Sequence, residues 1–156
     1  MTAAVTTSQP QALAAQIASC YGLAHIQEVR WLGPSGQPVT AAVRADGSEF
    51  LLRIYRSDEP REAPAYHAAL IRRLEAAGVS VERLVPTASG KDIGVLPSGA
   101  TVTLHPRHAG PPMAIPVALP DVPQWGRYVA TAHQATADWT PPVHVRPPAL
   151  RSTPQA

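Results

Sequence analysis

At 156 residues the chain is long enough for one domain with tails, and its 45% apolar residues suffice for a core. Net charge is only +2, Lys91 is the sole lysine and the arginines are scattered, so no concentrated basic face for nucleic acid is expected. The single cysteine, Cys20, excludes a disulfide framework and a cysteine metal cluster.

No apolar run approaches the ~20 residues needed to span a bilayer. The start "MTAAVTTSQPQALAAQ" lacks a basic stretch followed by an apolar block, so it does not read as a signal peptide. A soluble cytoplasmic protein without membrane contact is the expectation. The 18 prolines fall mostly after Val85, which makes the second half the less regular one.

In chain order, residues 1–8 are small and polar and read as a disordered tail. "PQALAAQIASCYGL" then gives a short helix, with Pro10 in its first turn, Leu13 and Ile17 on one face and Gly22 at its C-cap. "IQEVRWLG" and "VTAAVRADGSEFLLRIY" alternate with period two and read as three strands, the Asp46-Gly47 pair marking a tight hairpin. Between the first two strands lies "GPSGQP". Ser57 or Asp58 is the expected cap of the next helix, with Glu59 and Glu62 in its first turn. Tyr66, Leu70, Ile71 and Leu74 form its apolar stripe, Pro64 is tolerated near its start, and Gly78 ends it.

"DIGVL", the turn "PSG" and "ATVTLHP" form a second hairpin. A Pro-rich connector covers 109–120. Asp121 then caps "DVPQWGRYVATAHQATADW", with Trp125, Val129, Ala132 and Thr136 along one side. The remaining residues to 156 are extended and irregular. The fold class is therefore α+β: a five-stranded antiparallel sheet with one packed helix, flanked by an N-terminal helix and a C-terminal helix beyond the linker.

Arg53 is the residue that points to chemistry. In "FLLRIYRSDEP" it projects from the same face as Leu51 and Tyr55, and a guanidinium facing a core needs an anion to hold. Either a ligand supplies that anion, or Arg53 snorkels to solvent, or it pairs with Glu62. The turn "GPSGQP" reads equally as an ordinary hairpin loop. His105 and His108 are three apart but lack a second ligand pair, so no metal site is expected. His133 reads as a packed histidine, His25 and His144 as surface residues, and Cys20 as a small buried apolar side chain.

"FLLRIYRSDEP", "LEAAGVSVERLVPTASG", "VTLHPRHAG" and "WGRYVATAHQATADWTPPVHVRPPAL", in this order, resemble successive segments of the aminoglycoside phosphotransferase family, whose fold is protein-kinase-like. The resemblance covers roughly residues 10 to 150. It implies a kinase-like small lobe over 9–108, the linker at 109–120 and the start of the larger lobe over 121–156. It also implies that Arg53 meets the phosphates of ATP, that Gly36 belongs to the loop above them, and that backbone around Leu104 and Pro106 faces the adenine edge. Val43 and Leu52 would wall the base.

Two departures accompany the resemblance. The helix position that pairs with the cation in kinases falls near His67, which is no dependable counter-charge. The chain contains no asparagine, and it shows neither the aspartate-then-asparagine catalytic loop nor the subsequent metal-binding aspartate. The expectation is a truncated phosphotransferase-like protein that does not catalyse by itself and does not hold magnesium alone. The alternative is a non-catalytic nucleotide-binding or interaction module that pairs with another chain. The acceptor is left open.

Overall fold

The computed structural model describes residues 10–32, 39–56, 59–107 and 122–142. The expected tail at 1–8, the "GPSGQP" turn with Gly36, the caps Ser57, Asp58 and Asp121, the connector 109–120 and His144 lie outside the described residues.

Helix α1 (Pro10–Tyr21) is followed by β1 (Ile26–Leu32), β2 (Val39–Ala45) and β3 (Ser48–Ile54). Helix α2 (Ala63–Ala76), β4 (Gly94–Val95), β5 (Thr101–Pro106) and α3 (Val122–Thr136) complete the order. The five strands form one antiparallel sheet in the order β1-β2-β3-β5-β4, so β3 is its middle strand. The α+β class, the five strands and the order of the helices agree with the sequence reading. No helix among the described residues is long and apolar enough to cross a membrane.

The alternation of β2, β3 and β5 divides the sheet into two unlike faces. Ala41, Val43, Leu52, Ile54, Val102 and Leu104 point one way and are buried. Leu13, Ile17 and Tyr21 recur every four residues along α1 and close over that face, completing the principal core. The Tyr21 hydroxyl satisfies itself by donating to the Val102 carbonyl at 3.3 Å. At the end of α1, the carbonyls of Ala18 and Cys20 accept from the amides of Leu23 and Ala88 at 3.1 and 3.0 Å.

Two backbone positions fix this arrangement. The β2–β3 turn places Asp46 at φ 51° and Gly47 at φ 76°, the doubly left-handed pair of a tight hairpin. Asp46 adds a tertiary tie, since its carboxylate accepts from the amides of Ala24 and His25 at 3.1 and 3.0 Å. In β4, a Cβ on Gly94 would lie 2.7 Å from Cys20 Sγ and 3.0 Å from a Val102 methyl. Only glycine lets β4 pass under the end of α1.

Helix α2 begins later than the acidic first turn suggested. Its N-cap is Glu62, whose side chain makes no capping hydrogen bond, and Glu59 precedes the helix altogether. Pro64 explains the start: its missing amide is harmless only among the first-turn donors that have no intrahelical partner. The expected stripe of Tyr66, Leu70, Ile71 and Leu74 is half-buried, while Ala63, Pro64 and Ala68 are the buried residues of the helix.

Helix α3 docks on α2. Arg73 Nε donates to the Ala135 carbonyl at 2.7 Å, and Nη2 reaches Asp138 at 3.5 Å. A cation at the last carbonyls of α3 complements that helix's dipole. The Tyr66 and Trp139 rings meet at 5.9 Å. Val129, Ala132 and Thr136 are half-buried, as one side of the helix required, but Trp125 is 45% exposed. His133, expected to pack, is exposed.

Candidate phosphate-facing cavity

The second face of the sheet is the polar one. Thr40, Leu51, Arg53 and His105 project from it, with Tyr55 continuing the line beyond β3 through its amide, which donates to the Thr101 carbonyl at 2.9 Å. Between these residues and His67, Leu70 and Ile71 of α2 lies a cavity of about 460 Å³. Val81 and Glu82 close one side, and Tyr128 of α3 stands at its edge.

Arg53 therefore points into a cavity from the middle of the sheet, with a side chain 34% exposed. Its guanidinium carbon lies 4.8 Å from the centre of the Tyr55 ring. Among the described residues, the nearest carboxylate in an ion pair with it is Glu59, at 3.8 Å from Nη2. Of the alternatives that the sequence left open, pairing with Glu62 is thus replaced by pairing with Glu59, which precedes the helix. Arg53 Nε is buried and has no hydrogen-bond partner among the described residues, so an oxyanion in the cavity would meet the guanidinium through its terminal nitrogens.

Two histidines flank it. Burial, and then the Arg53 charge, push His67 below its ordinary range; Glu59 opposes this. The Tyr55 hydroxyl and His67 Nδ1 are 3.4 Å apart. His105 is also pushed down, chiefly by burial and against the pull of Glu82; its Nε2 lies 3.1 Å from the Thr103 hydroxyl. Both rings are thus held neutral at neutral pH, which leaves Arg53 as the fixed cation at this point of the cavity. Burial also pushes the Tyr55 hydroxyl up, so it stays protonated.

The other sequence candidates lie elsewhere. Val43, Leu52 and Leu104 are fully buried on the opposite face, against α1. Adjacent strand residues face opposite ways, so Leu52 cannot share a cavity with Arg53. The Leu104 carbonyl accepts from the Val85 amide at 2.8 Å, and Pro106 pairs with Phe50 at the end of β5. The Arg107 amide donates to the Glu49 carbonyl at 2.8 Å. Cys20 lies beside the α1 core, its thiol pushed up by burial.

Leu51, Tyr55, Glu59 and Thr103 join the site without being sequence candidates for it. Parity with Arg53 is the signal that could have found Leu51 and Tyr55. Among the described residues no cluster of three His, Cys, Asp or Glu could hold a metal ion.

No family model matches the sequence, and no curated protein matches it. Solved structures do. A spectinomycin phosphotransferase in complex with ADP and spectinomycin superposes with a TM-score of 0.65 at 14% identity, covering 81% of this chain and 38% of its own. The fold is kinase-like. An amicoumacin kinase in complex with AMP-PNP, calcium and amicoumacin gives 0.65 at 22% identity, over 85% of this chain and 41% of that one. A microcompartment-associated aminopropanol kinase gives 0.61 at 24% identity, over 85% and 42%. The chain spans about two fifths of the length of these kinases. Its sheet and helices have the architecture of a kinase-like N-terminal lobe.

Proposed function

We propose that this chain is the nucleotide-holding part of an ATP-dependent phosphotransferase that acts on a small-molecule hydroxyl. The observation that carries the reading is Arg53: a mid-sheet guanidinium aimed into a cavity, with its ion-paired Glu59 carboxylate no closer than 3.8 Å. Its N–H groups would donate to phosphate oxygens, a charge-assisted contact of the kind that positions a polyphosphate. Leu51, two residues back on the same face, is the apolar surface beside it, in place of Val43 and Leu52.

Phosphoryl transfer also needs a positioned acceptor and charge neutralisation around the moving phosphate. With no asparagine in the sequence and no metal-binding cluster among the described residues, those parts are assigned to another segment or chain. No step is assigned here to magnesium. One observation favours a partner polypeptide: no described residue of α3 is buried, and its Trp125 and Tyr128 rings stack at 5.5 Å on the outside.

Calorimetric titration with ATP tests the assignment. Arg53→Ala should weaken binding by roughly 10- to 100-fold, the scale of hydrogen bonds to a charged group. Equal binding by both proteins would remove Arg53 from the site. Repeated magnesium-dependent turnover of ATP by the chain alone would overturn the division of labour.

A further inference from the structure

In kinases the strand cation is held by a carboxylate on the neighbouring helix, which occupies part of its N–H edge. Here α2 presents His67 at that place, and Glu59 approaches only to 3.8 Å. Arg53 still needs a fixed direction, because an arginine side chain has many rotamers and ordering it costs entropy.

We infer that Tyr55, braced by His67, is the positioning residue for Arg53, carrying the guanidinium on its ring face and so leaving the N–H edge for a polyphosphate. This rests on the nucleotide reading of the cavity. The geometry supports each link. Tyr55 lies two residues beyond Arg53 on the same face and is 7% exposed, so its ring is fixed by packing. The guanidinium carbon sits 4.8 Å from the ring centre, within the range of a cation–π contact.

The hydroxyl end is held from α2. His67 Nδ1 lies 3.4 Å from it, with the two rings 5.9 Å apart. A cation held by its flat face keeps its in-plane donors available, whereas a bidentate carboxylate would consume them.

The experiment uses the whole chain. Calorimetry with inorganic tripolyphosphate should show Tyr55→Leu binding about tenfold more weakly than the parent, and Tyr55→Phe, which keeps the ring but loses the hydroxyl brace, losing only part of the affinity. His67→Ala should lose part of the affinity, and His67→Gln, which can still meet the hydroxyl, should restore it. Undiminished binding by Tyr55→Leu overturns the proposal. A second readout does not depend on ligand: the Arg53 Nε–H resonance should lie upfield through the ring current of Tyr55 and become an ordinary arginine signal in Tyr55→Leu. If the parent binds no tripolyphosphate, the nucleotide reading fails while that resonance still decides the positioning role. If Tyr55→Leu does not fold, an Arg53 signal in the unaltered chain that is not shifted upfield overturns it, and one that is shifted supports it.

Discussion

The two faces of the sheet obey different rules. The face under α1 is dry: Leu52, Val43, Val102 and Leu104 are completely buried, and Ile17 fills the space above them. The face under α2 carries Thr40, Arg53 and His105 around a cavity, with half-buried Leu51, Leu70 and Ile71 between them. One face holds the fold and the other lines an open hollow. Stability and binding should therefore respond to different substitutions, although the residues alternate along one strand.

The sharpest way to break this contrast is to truncate neighbours on β3. Leu52→Ala should cost about 2–5 kcal/mol in urea unfolding, because a fully enclosed side chain leaves a cavity. Leu51→Ala, at a half-buried position bordering space, should cost distinctly less. Equal costs would mean that the two faces are equally packed. A smaller effect is expected at the junction of α1 and β4. Gly94→Ala should destabilise by about 1–3 kcal/mol, and Cys20→Ala should recover part of the loss by removing the sulfur 2.7 Å from the new methyl.

The weakest effect comes from the cavity face. His67 and His105 both have folded-state values below the 6.5 of an exposed imidazole. Below that value the unfolded chain binds more protons than the folded one. Stability from these two groups is thus complete above 6.5 and is lost as pH falls below it. The urea midpoint should drop between about pH 7.5 and 5.5, and His67→Gln with His105→Gln should make that drop smaller.

Much of this was legible in the sequence because alternation and turn chemistry are local. "VTAAVRADGSEFLLRIY" specifies two strands, their hairpin and the inward Arg53 without reference to anything distant. Alternation also separates Leu52 from Arg53, yet which of two apolar faces borders the site depends on where α1 lies, and that is a tertiary fact. Glu59 was equally hidden: its approach to Arg53 is set by the path between Ile54 and Ala63. Pro64 could have revealed that path by delaying the helix. The docking of α3 depends on Arg73, a residue that sequence alone cannot distinguish from the exposed Arg72 beside it.

That guanidinium has a mechanical consequence. Arg73 ties the final turn of α3 to α2, and Trp139 against Tyr66 adds a second fastening nearby. Ile71 and Tyr128, which border the same hollow from the two helices, are thereby yoked. Widening that hollow requires the helices to swing from the strands as a pair, so whatever pulls on one end of α3 is felt beneath Arg53.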